Sequence, residues 1–140
     1  ITIQGQYLQW QTSETEGDII NALDQTCMAL SGSNVLGIVG PELSREVHVV
    51  APFANRIGLP VISHSATNPD LSNRNSYPNF FRLVPSDTGA TSSVAHLFLR
   101  FNWTSCIIIY QNDQFGSGAA NAMTQAFANV GLSVRGAIEF

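Results

Sequence analysis

The stretch of sequence that most constrains the fold covers residues 35–67. An apolar run, residues 35–39, is followed by a polar turn and by an amphipathic segment that begins at Ser44 and stops at Gly58. A second apolar run, residues 59–63, comes next. This order predicts two parallel strands joined by a helix in a right-handed crossover, and ligands of such units bind beyond the carboxyl ends of the strands.

Small and hydroxyl-bearing residues follow both predicted strands. The first strand leads to Ser44 at the start of the helix, and the second leads to Ser65, Ala66 and Thr67. A helix N-terminus attracts carboxylate and phosphate groups, and neighbouring hydroxyls can bind the same groups. The same side chains also have structural uses. Ser44 can be a helix N-cap, and Ser65 and Thr67 can form a turn in which they bond their own backbone. The local pattern leaves both interpretations open.

The rest of the chain continues the alternation of strands and helices. Strands are predicted at residues 1–10, 80–84, 106–110 and 132–140, helices at 18–30, 44–56, 88–101 and 117–129, and a turn-rich loop at 68–79. Asp18 is the expected cap of the first helix, which Ser31-Gly32-Ser33 ends. The predicted fold class is therefore α/β, with parallel sheets flanked by helices.

The apolar positions predict which faces are buried. The core face of the helix at 44–56, which Pro52 should kink, is predicted to contain Val47, Val50, Ala51 and Ala54. The core face of the helix at 88–101 is predicted to contain Val94, Leu97, Phe98 and Phe101. The strands at 35–39 and 106–110 are apolar throughout, as expected when both faces of a sheet are covered. Cys27 and Cys106 lie in regular apolar stretches, so both thiols are expected to be buried.

Two further residues extend the predicted site. Asp87 follows Pro85 and precedes a helix, so it either caps that helix or neutralises a ligand ammonium group. Phe115 lies in the predicted loop after the strand at 106–110, where it either packs on a ligand or anchors the loop. Hydroxyls and a helix terminus for an α-carboxylate, a carboxylate for an α-ammonium group and an aromatic wall are what a free amino acid requires.

Composition and motifs argue against other functions. The net charge is −4 and there are only six basic residues, so nucleic acid, which needs a basic face, is not an expected partner. The sequence contains no metal-binding Cys/His spacing, nucleotide-binding glycine motif or GxSxG motif, so we expect no metal, cofactor or catalytic residue. His48, His64 and His96 are scattered, and only His64 adjoins the predicted edge. Asn102-Trp103-Thr104 is an N-glycosylation sequon, which favours a secreted protein.

Several segments resemble the extracellular ligand-binding region of class C G-protein-coupled receptors, which belongs to the type 1 periplasmic-binding-protein superfamily. They look most like metabotropic glutamate receptors, with GABA-B-like features at residues 71–74 and 78–82. The resemblance is carried by Gly40-Pro41-Glu42-Leu43-Ser44, by Leu59-Pro60-Val61-Ile62-Ser63-His64-Ser65-Ala66-Thr67, by Asp70-Leu71-Ser72, by Tyr77-Pro78-Asn79-Phe80-Phe81-Arg82-Leu83-Val84-Pro85-Ser86-Asp87 and by Phe101-Asn102-Trp103-Thr104.

The resemblance implies roles for the residues at the predicted edge. In glutamate-type members, the residues in the positions of Ser44, Ser65 and Thr67 bind the α-carboxylate and α-ammonium groups of the ligand. The aspartate in the position of Asp87 binds the ammonium group, and an aromatic residue in the position of Phe115 packs over the ligand. Family members of this type have tyrosine there, so the chain keeps the aromatic wall but lacks the hydroxyl.

The resemblance also implies a fold and a cellular setting. The expected fold is a two-lobed clamshell that closes on its ligand, with residues 1–85 as part of lobe 1, residues 86–140 as the first part of lobe 2, and the chain as a fragment of a larger domain. The implied protein is a receptor on the extracellular side of the plasma membrane that binds an amino acid or a close analogue and signals by lobe closure.

The implied partners are the amino-acid ligand, the rest of the receptor chain and a second receptor copy in a dimer. Residues that select the ligand side chain have no match in this sequence, so the sequence does not predict which amino acid is bound. Two alternatives stay open: a solute-binding protein for amino-acid uptake, and a receptor ectodomain without a small-molecule ligand.

Overall fold

Two small parallel sheets, flanked by helices, follow a short N-terminal hairpin in the computed structural model, which describes residues 2–32 and 34–140 and every side chain among them except that of residue 3. The α/β class with parallel sheets is therefore confirmed. The elements are β1 (Thr2–Ile3), β2 (Gln6–Tyr7), α1 (Ile19–Gly32), β3 (Ile38–Val39), α2 (Ser44–Arg56), β4 (Val61–Ser63), a 3-10 turn (Pro69–Ser72), β5 (Phe80–Arg82), α3 (Asp87–Arg100), β6 (Ser105–Tyr110), α4 (Gln114–Asn129) and β7 (Ser133–Glu139).

The first parallel sheet has the strand order β3-β4-β5. Ile38 lies opposite Val61, and Val61 lies opposite Phe80, so the strands are in chain order and in register. Since all three strands run in the same direction, their carboxyl ends meet at one edge of the sheet. The segments that leave this edge lead into α2, the 3-10 turn and α3.

The second parallel sheet pairs β6 with β7. Cys106 lies opposite Val134, and the register shifts between Cys106 and Ile107. Among the described residues, the parallel strands that precede residue 85 lie in the first sheet, and those that follow it lie in the second.

Helix α2 covers the first sheet with the face that its sequence predicts. Val47, Val50, Ala51 and Ala54 are all buried, and the helix runs over the predicted residues with Pro52 inside it. Their spacing of three and four residues places them on one stripe because an α-helix turns once in 3.6 residues. Val47, Ala51 and Ala54 join a core that also contains Val61, Ala66, Leu71 and Phe80.

The N-terminal segment differs from the prediction of one strand over residues 1–10. It forms a hairpin, β1 with β2, whose turn places Gln4 at φ 52° and Gly5 at φ 81°. Two successive positive φ values match the right-handed twist of paired strands, so the chain reverses within the predicted strand. Asp18 caps α1 as predicted, since its Oδ1 accepts from the N–H groups of Ile20 and Asn21. Ile1 and Ser33, which the two predictions include, lie outside the described residues.

The predicted core face of α3 is only partly correct. Thr91 and Ala95 are buried against neighbouring structure, whereas Leu97 and Phe101 are 47% and 56% exposed. Small side chains allow α3 to approach α4 closely, and Phe98 completes the contact by packing edge-on against Phe127 at 4.8 Å between ring centroids. Packing against α4 therefore buries a face of α3 that is offset by one residue from the most apolar stripe of α3.

The apolar strands are not covered on both faces within the described residues. Val39 in β3 is 86% exposed, and Ile107 and Ile109 in β6 are also exposed. Strand β3 is also shorter than predicted, with pairing confined to Ile38 and Val39. Helices lie against one face of each sheet, so alternate side chains of these strands stay uncovered.

The prediction of two buried thiols is wrong for Cys27 and partly right for Cys106. Both cysteines are free, Cys27 is exposed and Cys106 is half-buried. Helix α1 buries Ala22, and a residue five positions later lies about 140° around the helix, which places Cys27 on the outer face. Burial raises the pKa of the Cys106 thiol, which keeps it protonated and unreactive at neutral pH.

Helix α4 begins at Gln114 rather than at the predicted residue 117. Asp113 is its N-cap, since the carboxylate accepts from the N–H of Gly116 at 2.8 Å. Phe115 therefore lies in the first helical turn and not in a loop. A Cβ at residue 116 would lie 2.0 Å from the carbonyl oxygen of Gln111, so the tight entry to the helix requires glycine.

Replacement of Gly116 tests this entry. Gly116→Ala should lower the free energy of unfolding by at least about 2 kcal/mol, because a Cβ meets backbone that cannot move without shifting the helix. Gly89→Ala is the matched control, since nothing lies within 4 Å of its Cβ position in α3, and it should stabilise the protein by about 0.5–1 kcal/mol. Chemical denaturation measures both changes, and equal stability of the two variants would contradict the prediction.

Candidate functional site

The edge at the carboxyl ends of β3, β4 and β5 is organised by one buried hydroxyl. Ser63 has no exposed surface, and its Oγ donates to the carbonyl of Pro41 at 2.7 Å. The same oxygen accepts from the N–H groups of Ser65 at 3.3 Å and Ala66 at 3.1 Å. Ser63 thus ties the turn after β3 to the loop after β4, and it fixes the loop that carries the predicted ligand-binding residues.

Ser44 does not act as the N-cap of α2. It is the first residue of the helix, and Leu43 occupies the cap position without a side-chain hydrogen bond. The Ser44 hydroxyl is buried, and it accepts from the backbone N–H of Asn68 at 3.4 Å. The cap interpretation is therefore wrong, and the hydroxyl links α2 to the chain beyond β4.

Thr67 and Asp87 are brought together although twenty residues separate them in sequence. The Thr67 hydroxyl donates to Asp87 Oδ2 at 3.0 Å, and the Asp87 N–H donates to the Thr67 carbonyl at 3.1 Å. The cap of α3 is Ser86, whose hydroxyl accepts from the N–H of Thr88, so Asp87 is not the cap. Its half-buried carboxylate is held at the edge by Thr67 and keeps further acceptor positions.

Ser65 lies between Ser63 and Thr67 in the loop after β4 and is half-buried. Its hydroxyl makes no hydrogen bond within the part of the chain that the structure describes, and Thr67 bonds to Asp87 rather than to its own turn. The structural alternative predicted that the Ser65 and Thr67 hydroxyls bond the backbone of their own turn. In the structure the Ser63 hydroxyl makes such bonds instead. Ala66 is buried in the core, and its carbonyl accepts from Arg82 at 3.3 Å.

Arg82 stabilises the loop after β4 through hydrogen bonds to its backbone. Its guanidinium donates to the carbonyl groups of Ala66 and of Asn68, the second at 2.9 Å. Burial lowers the pKa of Arg82, and the Asp87 carboxylate opposes that shift. The cation therefore satisfies loop carbonyls and also lies in the field of the carboxylate at the edge.

Phe115 is 48% exposed on the first turn of α4. The start of this helix reaches the edge through Asn68, whose side-chain N–H donates to the carbonyl of Gln114. The structure therefore connects Ser44, through Asn68, to the residue that precedes Phe115.

The histidines take other positions. His64 is exposed, and His48 in α2 shares a 2.7 Å hydrogen bond between its Nδ1 and the phenol oxygen of Tyr77. Burial lowers the pKa of His48 against the opposing field of Asp70, and burial raises the pKa of Tyr77. Both groups are therefore uncharged at neutral pH and act as a structural pair.

Two cavities lie next to the edge. A cavity of about 160 Å³ lies between the 3-10 turn and α4, and its lining includes Asn68, Thr88 and Gly118. A more open cleft of about 540 Å³ lies between the start of α1, α2 and the start of α4, where Arg45 and Asp113 approach to 3.9 Å. The predicted ligand-binding residues line neither cavity; these residues are Ser44, Ser65, Ala66, Thr67, Asp87 and Phe115.

Sequence reasoning missed Ser63 and Asn68, which organise the edge. The only local signal for Ser63 was a hydroxyl at the last position of an apolar strand. Asn68 precedes Pro69 and caps the 3-10 turn, since its Oδ1 accepts from the Asp70 N–H at 2.8 Å. Its longer-range contacts leave no trace in the neighbouring sequence.

Removal of the Ser63 hydroxyl tests its organising role. Ser63→Ala should lower the free energy of unfolding by about 1–3 kcal/mol, because a carbonyl and two N–H groups lose their partner in a buried place. Ser76→Ala removes an exposed hydroxyl and should change stability by less than about 0.5 kcal/mol. Chemical denaturation compares the two variants, and an unchanged midpoint for Ser63→Ala would refute the role.

Comparisons with known proteins agree with the α/β fold and with the resemblance to receptor ligand-binding regions. A family model described as "Receptor family ligand binding region" matches residues 3–139. Metabotropic glutamate receptor-like protein E of Dictyostelium discoideum is 30% identical over 127 residues, which are 91% of this chain and 15% of that protein. Glutamate receptor 2.2 of Arabidopsis thaliana is 24% identical over 121 residues, which are 86% of this chain and 13% of that protein.

A taste receptor gives a similar match. Taste receptor type 1 member 3 of Rattus norvegicus is 32% identical over 105 residues, which are 70% of this chain and 12% of that protein. The chain thus spans less than a sixth of the length of these relatives, all of which are receptors by name and not enzymes. Together with the family match, these relatives confirm the resemblance to the class C receptor region, and the chain belongs to the receptor-family ligand-binding region.

Proposed function

We propose that this chain is part of the extracellular ligand-binding portion of a receptor that recognises a free amino acid or a close analogue. The observation that carries the proposal is the contact between Thr67 and Asp87 beside the unbonded hydroxyl of Ser65. A carboxylate with remaining acceptor positions suits an α-ammonium group, and a hydroxyl that lacks a partner suits an α-carboxylate.

The remaining residues of the edge have matching uses. Ser44 opens α2, where the helix terminus favours negative charge, and its hydroxyl can donate a hydrogen bond while it accepts one from Asn68. Phe115 offers an exposed aromatic face on α4. In this proposal the ligand contacts Ser44, Ser65 and Thr67 from one side and Phe115 from the other.

The proposal includes signalling by closure of two lobes, residues 1–85 and residues 86–140, each completed by the rest of the receptor chain. The division of the parallel strands into two sheets supports these boundaries. Ligands that bridge two lobes shift a hinge equilibrium by their differential affinity for the closed form. The names of the relatives favour a receptor over a transport-associated binding protein.

A position on the extracellular side of the plasma membrane is also part of the proposal, as is a receptor dimer. No helix among the described residues is long and apolar enough to cross a membrane. Asn102 is exposed after the end of α3, while Trp103 packs edge-on against Phe98 and stacks on Phe101. The aromatic residues fix the turn and leave the asparagine side chain free for a glycan.

Binding of amino acids tests the proposed ligand. The complete ectodomain should bind at least one member of a panel of free amino acids, measured by isothermal titration calorimetry. Asp87→Asn and Ser65→Ala should each weaken that binding by about 10- to 100-fold. The first removes the negative charge that faces the ligand ammonium group, and the second removes a hydrogen-bond donor to the ligand carboxylate.

Asp24→Asn is the matched control for charge. It changes an exposed carboxylate on α1 and should leave the affinity unchanged. Absence of binding across the panel, or equal affinity of Asp87→Asn and the wild type, would contradict the proposed function.

Glycosylation at Asn102 tests the extracellular location. The full receptor expressed in animal cells should lose one N-linked glycan in the Asn102→Gln variant, seen as a smaller mobility shift after treatment with peptide N-glycosidase. Asn75→Gln changes an exposed asparagine outside any sequon and should keep the wild-type shift. An identical shift for wild type and Asn102→Gln would show that Asn102 carries no glycan.

A further inference from the structure

Asn68 connects four parts of the chain although only 2% of its surface is exposed. Its backbone N–H donates to the Ser44 hydroxyl, and its carbonyl accepts from Arg82. Its side-chain oxygen accepts from the Asp70 N–H, and its side-chain nitrogen donates to the Gln114 carbonyl. Asn68 therefore links the start of α2, the 3-10 turn and strand β5 to the start of α4.

Helix α4 accommodates this side chain because residue 118 is glycine. A Cβ at that position would lie 2.5 Å from Nδ2 and 3.0 Å from Cγ of Asn68. Both distances are shorter than van der Waals contact, so any larger residue would displace either the asparagine or the helix. Gly118 and Asn68 are thus two halves of one contact between helix α4 and the N-cap of the 3-10 turn.

We propose that Asn68 is a positioning residue that fixes Phe115 relative to the hydroxyls at the carboxyl ends of β3, β4 and β5. One end of Asn68 contacts Ser44, and the other contacts Gln114, which precedes Phe115 in the same helical turn. The inference rests on the proposed function, since it assigns Asn68 to the same amino-acid site. Because energetic coupling is reciprocal, a ligand that spans the edge and Phe115 also stabilises the contact between α4 and the 3-10 turn.

Two substitutions break the contact from opposite sides. Asn68→Ala removes the side-chain hydrogen bonds, whereas Gly118→Ala keeps the asparagine and displaces it. In the complete ectodomain, each should weaken binding of the amino acid found with the panel by about tenfold, which corresponds to about 1.4 kcal/mol. Titration calorimetry well below the melting temperature measures the affinity of the folded protein, which a merely structural role would leave unchanged.

Matched controls separate this effect from a general loss of stability. Asn75→Ala changes an exposed asparagine of the same loop, and Gly89→Ala adds a methyl group to a helix where the space is open. Both controls should keep the wild-type affinity. Gly118→Ala also keeps the inference testable if Asn68→Ala fails to fold.

A double-mutant cycle with Phe115→Ala tests the route through α4. If Asn68 acts by placing Phe115, the losses of affinity in the Gly118→Ala and Phe115→Ala variants should be clearly less than additive in the double variant. Lower melting temperatures with affinities within twofold of wild type would overturn the inference while the Asp87→Asn result still supports the proposed function. Additive losses would also overturn it, and a wild type that binds no amino acid would remove both proposals together.

Discussion

The arrangement of the edge depends on the hydrogen bonds of one buried serine. Parallel strands end in backbone groups that no neighbouring strand can pair, and in a buried place each such group must find another partner. Ser63 supplies that partner for a carbonyl after β3 and for two N–H groups after β4. With these backbone groups paired by Ser63, Ala66 packs into the core while the side chains of Ser65 and Thr67 stay partly exposed at the edge.

The features that the sequence predicts well are those set by local physics. Helix α2 matches its predicted bounds because its apolar residues repeat at helical spacing and a glycine with φ 75° follows it. Asp18 caps α1 because an aspartate before an amphipathic run has its acceptor within reach of the first free N–H groups. The local pattern makes Thr67 and Asp87 candidate ligand-binding residues, the resemblance adds the roles that both would have, and the structure places the two in contact.

The features that the sequence does not predict depend on partners distant in the chain. Besides local hydrogen bonds that many serines and asparagines make, Ser63 and Asn68 have contacts with residues more than twenty positions away, and these give them their organising role. The buried face of α3 depends on the small residues that let α4 approach, and Cys27 is exposed because α1 is covered on one side alone. An apolar residue in a helix or strand is more often buried than a polar one, but whether it is buried in a given protein depends on the element that packs against it.

The bond between Thr67 and Asp87 explains how such an edge can be ordered before a ligand arrives. A free carboxylate on a surface loop would be mobile, and binding would then carry the cost of ordering it. Thr67 holds one carboxylate oxygen, while the backbone bond between the same residues fixes the start of α3. An ionised carboxylate has about four acceptor positions, so Asp87 keeps positions for the ammonium group of the proposed ligand while the threonine stays bound. The Thr67 hydroxyl thus orders the carboxylate and leaves its negative charge available, and the proposed binding of a ligand ammonium group needs no rearrangement of this pair.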